Sequence, residues 1–278
     1  MPDNCKYFLG RMHLIAHFQN KLDYIKRSLS TIKTVTEREN DWGFFDVRSL
    51  EIENEIYYYG YLVKYKPVDN DEMVDKIGHQ LTNILINDRV QAKSFFLLHP
   101  QSGLIGYHLV SGQISDNQFK NQFKCIFEAA NENLLVSVDI IAVADSTEIL
   151  SAIKHFDSIQ MISFAVHPSN PRFSDKWRNI DDKLHSMRAD VFKGVYCGKE
   201  GLDIQNNDER ISEVLMAVDG YGKAKVDGIK DGKRHSVSTA KEPINVNSTK
   251  EGPIEQIVLP IINKFKEIWS RMSTNENT

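Results

Sequence analysis

Along the first 166 residues, apolar and polar positions alternate in short runs, and in places the period lengthens to three and four. The alternation of residues 7–18 predicts a strand, and residues 20–30 a short polar helix. Residues 42–50 and 56–66 predict two strands around the polar turn Glu53-Asn54-Glu55. Tyr57, Tyr58, Tyr59 and Tyr61 suit the pleated, half-buried surface of the second. Pro67 has no N–H for a ladder and is expected to end it. Met73, Val74, Ile77, Leu81, Ile84 and Leu85 then recur at three and four, the signature of one helix face. Residues 94–98 and 104–110 flank Pro100-Gln101-Ser102-Gly103 as a hairpin. Ser115 with Gln118 forms a capping-box pattern ahead of the stripe Phe119, Phe123, Ile126 and Phe127. Residues 134–144 read as a buried strand, Asp145 with Glu148 as a helix start, and residues 159–166 as a further strand.

His167-Pro168-Ser169-Asn170-Pro171 stops any preceding element and holds the chain extended, so a boundary is expected there. Ser174 then caps a helix carrying Trp177, Ile180, Leu184 and Met187, and residues 191–196 form a strand. Residues 208–216 read as helical and lead into a Gly- and Lys-rich hairpin over residues 219–239. A last helix runs from about Pro253 to Met272, with Pro260 expected to kink it. Strands mixed with helices and joined by hairpins predict an α+β fold of mostly antiparallel sheets packed with helices. Two lobes are expected, an N-terminal α+β domain over 1–166 and a C-terminal one over 167–278 that holds the hairpin and the long terminal helix.

Composition narrows the function classes. Of 278 residues, 41% are hydrophobic and 26% charged, near globular averages, so a packed core is expected. The net charge of −4 means that any nucleic-acid contact needs a local basic patch. No apolar run approaches the roughly 18–20 residues that span a bilayer, and residues 1–10 do not resemble a signal peptide. Three widely spaced cysteines, Cys5, Cys125 and Cys197, suit neither a disulfide framework nor a metal site. The expected setting is cytoplasmic, without direct membrane insertion.

The hairpin holds the densest candidate chemistry. Asp231-Gly232 marks its turn, and Lys223, Lys225, Lys230, Lys233 and Arg234 face only Asp227 and Asp231 in charge. A two-stranded ribbon of this kind can follow a phosphate backbone or enter a groove. The bland alternative is a solvated edge whose lysines block edge-to-edge pairing. Arg172 and Arg178 extend the set as a second basic surface, balanced by Asp175, Asp181 and Asp182 on an amphipathic helix.

No catalytic, metal or cofactor motif stands out. His13 and His17 are four apart on a strand-like segment without a matching carboxylate, and no HExxH, GxSxG or GxxxxGK[ST] occurs. Asp139 and Asp145 flank an apolar strand, but Asp145 already reads as a helix cap. A metal-dependent nuclease or nucleotide hydrolase assembled from distant residues stays open as an alternative, as does a pure protein-interaction module. On the last helix Ile254, Ile257, Ile261, Phe265 and Trp269 make an apolar face for docking on its own domain or on a second copy.

The run from His167 to Asp175, a polar helix, and then Tyr196-Cys197-Gly198-Lys199-Glu200-Gly201-Leu202 resemble the middle of the RexA-like phage exclusion proteins. They are also similar to a broader group of bacterial proteins suspected of phage-defence roles. The order of elements over most of the chain agrees, including Phe95-Phe96-Leu97-Leu98 with its hairpin. The resemblance implies a cytoplasmic, dimeric sensor able to bind DNA, and with the basic hairpin the expected contact is duplex DNA, largely independent of sequence, by a homodimer. It further implies a role in abortive infection with a membrane effector protein as partner.

Overall fold

The computed structural model describes residues 4–15, 21–132, 134, 136–169, 174–204, 211–241 and 243–273. They form an α+β fold of two sheets with helices packed on them, closed by a long C-terminal helix. Among the described residues no helix is long and apolar enough to cross a membrane. Two compact units are each discontinuous in sequence. One comprises residues 1–15, 99–106 and 139–278, the other residues 16–98 and 107–138, so position 167 lies inside the first.

The second unit holds α1 (Lys21–Leu29), β2 (Val35–Glu37), β3 (Asn40–Ile52), β4 (Glu55–Asp75), most of β5 (Gln80–His99) and α2 (Asp116–Ala130). Strands β5, β4, β3 and β2 lie side by side in that order, each antiparallel to the next. Glu53 and Asn54 both adopt positive φ, the geometry of a two-residue hairpin turn, which is why the polar triplet folds β3 onto β4. Helix α2 begins as its sequence pattern requires. The Ser115 side chain accepts from the Gln118 N–H, and the Gln118 side chain accepts from the Ser115 N–H. Its buried stripe seats Phe123 against Phe44 and Phe96, with ring centroids 4.9 and 5.6 Å away. Asn131 donates to Ser28 Oγ at 2.6 Å and to the Phe127 carbonyl at 2.8 Å, tying the end of α2 to α1.

Two expectations fail in this unit. Pro67 does not end β4, which continues to Asp75. The ladder skips the proline, passing from Lys66 opposite Arg89 to Val68 opposite Asn87, so the missing N–H is tolerated where no pairing is made. The residues read as a helix from Met73 to Leu85 instead form the far end of a β-ribbon, closed by a turn over 76–79. Asp75 Oδ1 accepts the N–H groups of Ile77 and Gly78 at 2.9 and 3.0 Å, and this side-chain turn reverses the chain before a helix can propagate.

The first unit holds β1 (Asn4–Ile15), the start of β6 (Leu104–His108), most of β7 (Ser137–Ala142), α3 (Ser146–Lys154) and β8 (Ser158–Val166). It continues with α4 (Arg178–Met187), β9 (Phe192–Cys197), α5 (Ser212–Met216), β10 (Gly222–Lys230), β11 (Lys233–Ser238), β12 (Asn245–Thr249) and α6 (Ile254–Ser273). Strand β1 lies between β12 and β6, and β7 also pairs with β1. Helix α6 packs so closely here that a Cβ on Gly106 would sit 2.7 Å from Ile261 Cγ2. Ile257, Ile261 and Phe265 are buried in this packing, while Ile254 and Trp269 are half-buried. Ser248 Oγ adds a bond to the Ile257 carbonyl at 2.8 Å. The second sheet, β11-β10-β8-β9, is antiparallel throughout.

Candidate nucleic-acid interface

The basic hairpin is real, and its root is fixed from the interior. A π-helical turn, Ala217–Tyr221, delivers the chain into β10. Gly220 lies there at φ 85°, and a Cβ on it would be 2.9 Å from both Arg11 Cβ and Val143 Cγ2, so only glycine fits. Arg11, 1% exposed, donates Nε–H to the Asp219 carbonyl at 2.8 Å and Nη1–H to the Ser102 carbonyl at 2.6 Å. Its guanidinium lies 4.4 Å from the centre of the Tyr221 ring. Asp219 Oδ2 accepts the Trp177 indole N–H at 2.9 Å, and Ser174 caps the turn that presents Trp177. The Tyr221 hydroxyl is pushed above its ordinary pKa, chiefly by burial. Each of these hydrogen bonds satisfies a buried donor or acceptor beside the start of β10, while the buried Tyr221 hydroxyl has no hydrogen-bond partner among the described residues.

Register decides which charges act together. Lys225 lies opposite Ser238 on β11 and Ser163 on β8, and Lys223 lies opposite Ala165. Ser163 and Ala165 in turn face Val195 and Lys193 on β9, while Ile229 lies opposite Arg234. One face of the sheet thus carries Lys193, Lys223, Lys225 and Arg234, set among Ser163, Ala165, Ser236 and Ser238. The four cations are exposed. The other face buries Phe164, Val166, Ala224 and Val226. The only carboxylate in the described pairings of that open face is Asp227, which sits 2.8 Å from Lys225 Nζ. Lys193, Lys223 and Arg234 make no ion pair with a described residue.

The turn is a two-residue one, with Asp231 at φ 50° and Gly232 at φ 71°. Lys230 and Lys233 lie opposite each other beside it, one step out of phase with Arg234 and therefore on the other side of the ribbon. Arg178 is on α4, where Asp175 holds it in an ion pair of 2.6 Å. Arg172 lies outside the described residues. The sequence reading missed Lys193, whose alternation with Val195 in residues 192–197 was the available signal. It also missed Arg11, for which there was none.

Two other candidates have partners within the fold. Asp145 caps α3, accepting from the N–H groups of Thr147 and Glu148. His13 packs on His167 with ring centroids 4.7 Å apart, and His167 Nδ1 lies 2.9 Å from the Asp190 carbonyl. His17 lies outside the described residues. Among the described residues no three His, Cys, Asp or Glu side chains converge to hold a metal ion.

A family model described as a domain of unknown function, DUF4747, matches residues 16–257, and the chain belongs to that family. No curated protein matches it.

Proposed function

We propose that the open face of the second sheet binds the phosphate backbone of duplex DNA without reading sequence. The observation that supports this is the convergence of Lys193, Lys223, Lys225 and Arg234 on one exposed face of a chain with net charge −4. Ala165 lies between Lys193 and Lys223 and Ser163 beside Lys225, with Val195 and Ile229 on the same face, so a polyanion laid along it meets several cations at once. Lys230 and Lys233 lie on the other side of the ribbon at the hairpin tip and are not part of this face. No base-reading aromatic or amide accompanies the four cations in the described pairings, which suits backbone contact. The resemblance to RexA-like proteins extends the reading to a sensor in phage exclusion or anti-phage defence, acting as a homodimer upstream of a membrane effector protein.

A salt titration of binding to a random-sequence duplex tests the proposal. With three cations in no ion pair among the described residues, log affinity should fall against log salt with a slope of about −3. Replacing Lys193, Lys223 and Arg234 with Ala should remove most of that slope. An unchanged slope in the triple variant rejects the face as the contact.

A further inference from the structure

In the second unit, Phe44 and Phe96 meet Phe123 of α2, so alternation turns Phe45 and Phe95 to the opposite side of the sheet. On that side Tyr59 lies between Arg48 and Leu97, and Tyr61 between Phe45 and Phe95. Val63 follows between Gly43 and Lys93, and Tyr65 between Asp41 and Val90. Arg48 reaches this side only because the register skips Asp46 and Val47, a bulge with Asp46 at φ 52°. The rings are connected. Phe45 lies 5.8 Å from Tyr65 between centroids, and Phe95 lies 5.6 Å from Tyr61 and 6.1 Å from Tyr59. Phe95 is buried and the three tyrosines half-buried, while Phe45 is 43% exposed. A Cβ on Gly43 would come within 2.9 Å of Phe45 Cε2, so glycine lets that ring rest on the sheet.

We infer that this face stacks the bases of single-stranded nucleic acid. Charge and ring placement together select that occupant. Arg48 and Lys93 are exposed, and neither makes an ion pair with a described residue in a chain of net charge −4. Lys93 instead holds its ammonium 5.0 Å from the centre of the Tyr61 ring. Asp41 is the one carboxylate in these four rungs, and it accepts a hydrogen bond from Thr36 at 2.6 Å. Two unneutralised cations among aromatic rings favour a polyanion that also has π faces to offer. Tyr59 and Tyr61 stand two residues apart on β4, about 6.8 Å, a step that a stretched single strand can follow ring by ring. A duplex keeps its base faces stacked inside and cannot use the rings. The face of the basic sheet, with cations and no rings, suits the outside of a duplex instead.

Fluorescence anisotropy of a labelled oligothymidylate of about 12 nucleotides, titrated with the full chain, tests this. The wild type should bind, with log affinity falling against log salt. Phe45→Leu and Tyr59→Leu keep apolar bulk but remove the π face, and each should weaken binding by about tenfold. Arg48→Ala with Lys93→Ala, both at exposed positions, should flatten the salt slope by about 1.4, as for two phosphates of a single strand. Replacing Lys193, Lys223 and Arg234 with Ala should leave this binding unchanged, so the two nucleic-acid faces stand or fall separately. Far-ultraviolet circular dichroism confirms that each variant keeps its strands. Leucine variants that bind like wild type would mark the face as an apolar protein contact and overturn the assignment. So would a wild type that ignores the oligonucleotide, a salt slope that ignores Arg48 and Lys93, or a basic-sheet variant that loses the single strand as well.

Discussion

Arg11 on the first strand donates its Nε–H to the main-chain carbonyl of Asp219, 208 residues later, at 2.8 Å. The same guanidinium reaches Ser102 and lies over Tyr221, so one buried cation fastens the entrance of β10 to β1. Replacing it with Met keeps the volume but strips two carbonyls of a charged donor. Arg11→Met should lower unfolding free energy by about 3 kcal/mol, read by urea denaturation. A loss within experimental scatter would mean that the root is held by packing alone.

Gly220 is a second test of the same root. With φ at 85° and two side-chain atoms 2.9 Å from where a Cβ would sit, Gly220→Ala meets both strain and collision. A cost of about 2 kcal/mol or more is expected. Gly232, also at positive φ but with nothing within 4 Å, should lose only about 1 kcal/mol on the same substitution. Comparing the two by thermal unfolding separates conformation from crowding.

On the sheet face, order matters more than total charge. Single Ala substitutions at Lys193, Lys223 or Arg234 should each reduce the salt slope of duplex binding by about one. Lys225 is already paired with Asp227, so Lys225→Ala should change the slope less. Asp227→Asn, which releases that lysine, should steepen it. A uniform effect of all four cations would argue against the pairing persisting in solution.

The ribbon tip should respond to acid. The Asp75 carboxyl is held below its ordinary range, first by the Gly78 N–H and then by that of Ile77. Asp69 is held down as well, first by its hydrogen bond from Lys66. A lowered folded pKa gives support that is complete at neutral pH and lost as pH falls through that value. Amide exchange at Ile77 and Gly78, corrected for its intrinsic rate, should therefore rise on acidification through the lower carboxylate range. Asp75→Ala should show fast exchange at all pH values. Protection that ignores pH in the native chain would contradict the turn geometry.

Local chemistry in the sequence carried much of this fold. Glu53-Asn54, Asp231-Gly232, the Ser115 box and the Asp145 cap each act within a few residues, so their geometry followed from composition. The ribbon was missed because a spacing of four, as between Leu81 and Leu85, is a multiple of two as well as near one helical turn. Only Asp75 and Gly78 could have broken the tie. Lys193 joins Lys223 through β8, and no local pattern states which strand lies between them. Arg11 was invisible for a stronger reason: two of its partners are main-chain carbonyls, which leave no trace in residue identity.

The skipped rung at Pro67 has a mechanical consequence. On the facing strand Asp88, between Asn87 and Arg89, sits at φ 52°, so β5 departs from regular geometry at that level. A lever is weakest where its crosspieces are fewest, and this one lacks a crosspiece at its foot. Lys66 and Arg89 on one side of that level both reach Asp69 on the other, so side-chain ion pairs stand in for the missing rung.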